Sequence, residues 1–173
     1  KIPFLKGYKV QSEEVRYGKS RFDFLLKNEK GEKLFLEIKT CTLFGEKVAM
    51  FPDAVTERGK KHLHELSKIA QRGYEAGCLF VVMNPDVKYF LPAYHVDFEF
   101  AKAFIESRKK ISMWAISLKF KENLKGVDAV KELKIPYRKI EGEAQNRGAY
   151  FLILEVSDKK IEVGKLGEIF FKK

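Results

Sequence analysis

The chain predicts an α/β fold, a mixed β-sheet flanked by helices, with a short β-hairpin extension at its C-terminal end. Three observations carry that expectation. Strand-like runs alternate with amphipathic helical runs, the pattern of an α/β sandwich. Cys78-Leu79-Phe80-Val81-Val82-Met83 is continuously apolar, as in a strand covered on both faces. Arg21-Phe22-Asp23-Phe24-Leu25-Leu26 and Leu34-Phe35-Leu36-Glu37-Ile38-Lys39 flank the polar stretch Asn28-Glu29-Lys30-Gly31-Glu32, which reads as a β-hairpin.

The elements follow in order. Residues 7–18 read as a short amphipathic lead-in carrying Glu13 and Glu14. The hairpin strands occupy 20–27 and 34–39. Residues 40–51 read as a loop, and Pro52-Asp53 marks a helix start with Asp53 as the expected N-cap. Residues 54–72 read as a helix with Val55, Leu63, Leu66, Ile69 and Ala70 on one face. Its other faces carry Arg58, Lys60, Lys61, His62 and Glu65, and Gly73 is a plausible stop. After the apolar strand comes a loop holding Pro85 and Pro92, then a helix over 97–109 with Asp97 as N-cap. Residues 111–120 read as a further strand, with Trp114 and the phenylalanines in the core rather than stacked on bases.

Composition shifts after Pro136. Residues 141–147 resemble a linker, and 149–154 with 160–163 form a second hairpin turning at Ser157-Asp158. The expected organisation is therefore one domain over 1–140 and a linker with a hairpin tail over 141–173. The tail is either an edge hairpin of the first domain or the start of a truncated second one.

A chain of 173 residues holds one good-sized domain, or one plus a fragment. Its 45% hydrophobic content supports a packed core. No apolar run nears the roughly 18 residues of a membrane span, so no membrane partner is expected. Lys1-Ile2-Pro3-Phe4-Leu5 is too short and mixed for a signal peptide. With no initiator Met, the chain is expected to be a fragment or a processed form. Cys41 and Cys78 make neither a metal spacing nor a disulfide framework, which points to a reducing, cytoplasmic setting. The net charge of +10 favours polyanionic partners, nucleic acid foremost. Lys and Glu dominate the charged set while Asn and Gln are few, a thermophile-like bias that explains a lysine surplus equally well. Charge alone therefore establishes no partner.

The chemistry concentrates in the hairpin. If Lys27 pairs with Lys33, Asp23 falls opposite Glu37, and side-chain alternation puts Lys39 on the face of Glu37. Two carboxylates and an ammonium at one point suit one or two hard divalent cations, Mg²⁺ or Mn²⁺, with a lysine that positions water. That is the layout of a metal-dependent phosphodiesterase. Asp23 and Glu37 would ligate the cation, the Ile38 carbonyl would add an oxygen, and Lys39 would orient or deprotonate the water. Glu14 could add a third carboxylate, and Arg58 and Lys61 would hold phosphate oxygens. His62 is expected as a phosphate or water contact or a plain surface residue. His62 and His64, two apart on a helix, share no face, which argues against a zinc pair. The bland reading places Asp23, Glu37 and Lys39 on solvated strand faces, since short charged patterns recur by chance in charged chains.

Three stretches carry a resemblance. Ser20-Arg21-Phe22-Asp23-Phe24-Leu25, Leu36-Glu37-Ile38-Lys39-Thr40-Cys41-Thr42-Leu43 and Phe51-Pro52-Asp53-Ala54-Val55-Thr56-Glu57-Arg58-Gly59-Lys60-Lys61-His62-Leu63 resemble the sugar fermentation stimulation protein (SfsA) family. The resemblance runs over about 7–120, with weaker support to 136. It implies a restriction-endonuclease-like domain of the PD-(D/E)XK class, nucleic-acid binding with DNA ahead of RNA, and a regulatory role in sugar (maltose) metabolism. By position, Glu14, Asp23, Glu37 and Lys39 match the active-site pattern of that class. Ser20, Arg21, Thr56, Arg58, Lys60, Lys61 and His62 fall in the signature stretches and become the nucleic-acid-binding candidates. The family usually carries an OB-like domain ahead of the nuclease-like one, and this chain begins about where it would end. Gly148-Ala149-Tyr150-Phe151-Leu152 and Val163-Gly164-Lys165-Leu166-Gly167 resemble the opening of a GIY-YIG-like domain sometimes fused downstream. The expected function is a divalent-metal-dependent nuclease, with a non-catalytic DNA-binding regulator as the alternative. A homodimer is left open.

Overall fold

The computed structural model describes residues 2–123 and 125–137, together with the backbone of two later strands at 151–156 and 161–165. The first three strands form an antiparallel meander: β1 (Tyr8–Tyr17), β2 (Ser20–Asn28) and β3 (Lys33–Cys41). The β2–β3 turn closes through Asn28, whose Oδ1 accepts from the Lys30 and Glu32 N–H groups at 3.0 Å each. Gly31 takes a positive φ of 87° there, a conformation that costs a glycine little. Lys27 does stand opposite Lys33, so the expected register holds.

The chain then leaves for a second small sheet, crosses over in α1 (Glu57–Gln71), and returns as β6 (Glu75–Val82) parallel to β3. A second crossover through α2 (Phe98–Ser107) delivers β8 (Ser112–Phe120) parallel to β6, and β9 (Val127–Glu132) adds an antiparallel edge. The six-stranded order is β1-β2-β3-β6-β8-β9. Strand β6 lies between β3 and β8 and is covered on both faces, as its apolar run requires. Phe80, Cys78 and Val82 face the helices, packing with Leu63, Leu66 and Ile69 of α1 and Phe100 and Phe104 of α2. Leu79 packs in a second cluster with Leu26, Leu34, Leu36 and Ile116. Trp114 belongs to that second layer and stacks on Phe4, ring centres 4.7 Å apart, so it is a packing residue.

Several boundaries differ from the sequence reading. The lead-in is a full strand, β1, with a register shift between Val10 and Ser12. Residues 40–51 are not a plain loop: β3 continues to Cys41, and β4 (Leu43–Phe44) and β5 (Val48–Phe51) follow. They join β7 (Tyr89–Pro92), within the expected Pro85–Pro92 loop, as a three-stranded sheet. The partner of β5 lies some forty residues away, so no local pattern reveals the pairing. Helix α1 starts at Glu57, and its N-cap is Thr56, not Asp53: Thr56 Oγ1 accepts from Gly59 N–H at 3.0 Å. Asp53 instead accepts from the Thr42 hydroxyl at 2.7 Å. Val55 precedes the helix and is 70% exposed, so it does not belong to the apolar face. Asp97 caps α2 as expected, accepting from Phe100 N–H at 2.9 Å, and its other oxygen accepts from Thr56 N–H at 2.8 Å. One carboxylate thus ties together the starts of both helices, which explains why α1 begins where it does.

The tail forms the expected antiparallel pair, β10 (Phe151–Val156) with β11 (Ile161–Lys165). The 141–147 linker and the Ser157-Asp158 turn lie outside the described residues. No helix among the described residues is long and apolar enough to cross a membrane.

Candidate active site

Strand β3 positions the chemistry. Flanked by β2 and β6, it carries Glu37 into a buried position, 3% exposed. The β2–β3 register runs to the Phe24–Leu36 pair, one step short of Asp23 and Glu37. There a side chain takes over: Asp23 Oδ2 accepts from Ile38 N–H at 2.6 Å. The Asp23 carboxylate is therefore held against the backbone of the residue that follows Glu37.

The two oxygens of Glu37 have different surroundings. Oε1 accepts from Lys39 Nζ at 2.6 Å and lies 2.6 Å from His62 Nδ1. Oε2 is buried without a hydrogen-bond partner among the described residues. A sealed, unpartnered carboxylate oxygen is costly and asks for a reason. Burial acts to raise the Glu37 pKa, but the hydrogen bonds from His62 and Lys39 and their charges outweigh it, and the carboxyl is held below its ordinary range. Asp23 goes the other way. Desolvation lifts its pKa, the Ile38 N–H and Lys39 oppose, and the charges of Glu37 and Glu14 add to the rise.

The remaining expected residues divide. Glu14 sits on β1 between residues that pair with Phe24 and Phe22, which makes it the lateral neighbour of Asp23. Its carboxylate is exposed and ion-paired with Arg21 Nε at 2.7 Å, and its backbone is left-handed, φ 53°. Ile38 enters the site through its N–H. Ser20, Arg21, Arg58, Lys61 and His62 line a single cavity of about 470 Å³, together with Lys19 and Glu57. Ser20 is 6% exposed and its Oγ has no partner among the described residues. Thr56 acts as the helix cap, and Lys60 is paired with Glu57 at 3.0 Å and points to the other flank of α1. Neither of these two stands in that cavity's wall.

Of the two expected readings of His62, a phosphate or water contact or a plain surface residue, the structure excludes the second. His62 is 4% exposed, with its ring against Phe22 at 5.5 Å between centres, and it is no surface residue. A signal was present: His62, Leu66 and Ile69 fall at i, i+4 and i+7, the spacing of one buried helical face. Lys19 was missed as well, because it stands one residue ahead of the Ser20-Arg21 stretch.

The donor set fits a hard divalent cation. Among the described residues Glu37 Oε2 is unpartnered, and of the Asp23 carboxylate only Oδ2 is engaged. Among the described residues no three His, Cys, Asp or Glu side chains form a complete cage. A cation held by two carboxylates, with the rest of its shell from solvent and substrate phosphate, is the usual Mg²⁺ arrangement.

A mixed sheet with both crossover helices packed on one face, and an Asp and a Glu-x-Lys on adjoining strands, defines a restriction-endonuclease-like α/β core. The chain belongs to the sugar fermentation stimulation protein (SfsA) family: residues 1–124 match the family model described as "Sugar fermentation stimulation protein RE domain". A sugar fermentation stimulation protein homolog of Clostridium tetani is 45% identical over 108 residues, 62% of this chain and 47% of the relative. One from Methanosphaera stadtmanae is 39% identical over 125 residues, 70% of this chain and 52% of the relative. Among solved structures, Pyrococcus furiosus SfsA in complex with Ca²⁺ superposes with a TM-score of 0.70 at 32% identity, covering 78% of this chain and 58% of that one. The chain spans about half the length of these curated relatives.

Proposed function

We propose that this domain is a Mg²⁺- or Mn²⁺-dependent nuclease, hydrolysing phosphodiester bonds of nucleic acid at Asp23, Glu37 and Lys39. The divided carboxylate of Glu37 carries the reading: one oxygen is held by Lys39 and His62, the other is buried with no partner among the described residues, and the Asp23 carboxylate is held on the N–H of the next residue, Ile38. A Ca²⁺ complex of Pyrococcus furiosus SfsA supports a hard-cation site on this fold. When bound, the cation supplies Lewis acidity to the phosphodiester and the attacking water. Asp23 and Glu37 would hold it, with Glu14 close enough to raise the local negative field. Lys39 gives one N–H to Glu37 Oε1, which leaves donors to orient a water or a phosphate oxygen. Arg58 and Lys61, with Lys19, would grip neighbouring phosphates from the cavity beside the site. The two buried free thiols, Cys41 and Cys78, support a cytoplasmic setting. DNA stands ahead of RNA on the family resemblance.

The test is cleavage of single- and double-stranded DNA and RNA, with Mg²⁺, Mn²⁺ or EDTA, by wild type and Glu37→Gln. Metal-dependent cleavage that Glu37→Gln loses supports the enzyme. If wild type, alone or in a longer chain carrying the upstream family domain, cuts nothing beyond what Glu37→Gln cuts, the non-catalytic DNA-binding regulator of sugar (maltose) metabolism becomes the reading.

A further inference from the structure

We infer that His62 is a positioning residue of the cation site, clamping Glu37 by Oε1 so that Oε2 is presented to the metal. The inference rests on the proposed role of Glu37 as a cation ligand. Its geometry is specific. An ionised carboxylate only accepts hydrogen bonds, so at 2.6 Å the proton between Nδ1 and Oε1 belongs to the imidazole. The Nδ1–H form is common to one neutral tautomer and the imidazolium, so the clamp needs no particular charge on the ring. Lys39 Nζ lies 3.5 Å from the same Nδ1 and 2.6 Å from Oε1. With two N–H donors on Oε1, rotating the carboxylate to exchange its oxygens would break both bonds.

The ring has little freedom to let go. It is wedged against Phe22, next in sequence to Asp23, and fixed on α1 within two turns of the Thr56 cap. That cap is anchored by Asp97, whose carboxylate takes the Thr56 and Phe100 N–H groups. Gly59 allows the tight approach: a Cβ there would lie 2.8 Å from Thr56 Cγ2 and 3.3 Å from the Phe100 ring. A path of packed groups therefore runs from α2 through α1 to the carboxylate. A core histidine with a merely structural role would need a partner too, but it would not have to leave the second oxygen of that partner buried and unpaired.

The test measures Mn²⁺ affinity directly, by electron paramagnetic resonance of free Mn²⁺, without any turnover assay. Wild type, His62→Ala, His62→Asn and Glu37→Gln are compared, with thermal melts in EDTA to verify folding. Removing a group that orients a metal ligand costs about 10–100-fold in affinity, and that loss is expected for His62→Ala. His62→Asn, whose amide N–H can reach near the Nδ1 position, should recover most of it. If His62→Ala fails to fold, His62→Phe replaces it, filling the space beside Phe22 without a donor. Wild-type affinity in a folded donor-less variant overturns the inference. Equal loss in the Asn and the donor-less variants, both folded, also overturns it, because shape rather than the N–H would then matter. Wild type binding Mn²⁺ no better than Glu37→Gln overturns the cation site itself, and the inference with it.

Discussion

The two flanks of helix α1 carry similar numbers of basic residues in different settings. On one flank Lys19, Arg58 and Lys61 share a cavity with Ser20 and His62, and none of the three cations has an acidic partner among the described residues. Its one carboxylate, Glu57, is engaged by Lys60. On the other flank a larger cavity, about 660 Å³, sets Lys60, Lys68 and Lys110 among Glu57, Glu65 and Glu106, and Lys61 borders both cavities. The larger space is thus close to self-compensated, while the smaller one keeps a positive field next to Glu37. The two histidines repeat the contrast: His62 is buried on Glu37, and His64, two residues on, is exposed on the opposite flank. A net charge of +10 does not distinguish these flanks, whereas local pairing and distance from the buried carboxylate do.

The largest expected effect breaks the comparison at its centre. Lys39→Ala should slow metal-dependent cleavage by about 10²–10⁴-fold, the range for removing a group that manages a proton or a water. His64→Ala should leave the rate near wild type. Comparable losses in initial-rate assays would mean the flanks do not differ in function.

Next comes binding. In EDTA, the double variant Arg58→Ala/Lys61→Ala should weaken oligonucleotide binding for all sequences alike. It should also flatten the plot of log affinity against log salt by about one for each phosphate no longer engaged. Lys68→Ala/Lys110→Ala should change neither. Fluorescence anisotropy at several salt concentrations decides this, and equal slopes for both doubles would erase the distinction.

Stability offers a smaller, sharper probe. In a helix interior Gly→Ala ordinarily gains about 1 kcal/mol. At Gly59 the added Cβ meets Thr56 and Phe100 too closely, so Gly59→Ala should instead cost about 1–3 kcal/mol in urea unfolding. A gain would mean that α1 and α2 can separate freely, and that the His62 clamp is less rigid than its packing suggests. The smallest effect is at the cap. Thr56→Ala should cost about 1 kcal/mol, and Asp53→Ala, outside the helix, less. The reverse order would return the cap to Asp53.

The hairpin register is legible in the sequence because its turn is local: a polar loop with Gly31 fixes which residues face each other, and alternation does the rest. The buried strand β6 and the Asp97 cap are legible for the same reason, as an apolar run and an N-cap signature each state their own environment. The second sheet is not, because β5 finds its partner in β7 only after a helix and a strand intervene. Asp53 and Thr56 are both good capping residues, and the choice between them is made by Asp97, forty-one residues from Thr56.

By itself the sequence determined the layered α/β class, the β2–β3 register through the turn, and a polar helix following close behind. Tertiary structure decided what those groups do to one another. It turned His62 inward onto Glu37, left Oε2 without a partner among the described residues, brought Lys19 from the β1–β2 turn to Arg58 and Lys61, and paired Lys60 away. The physical reason is one of range. Turns, caps and periodicity act over a few residues, whereas a hydrogen bond between β3 and α1 depends on how two separately formed elements pack.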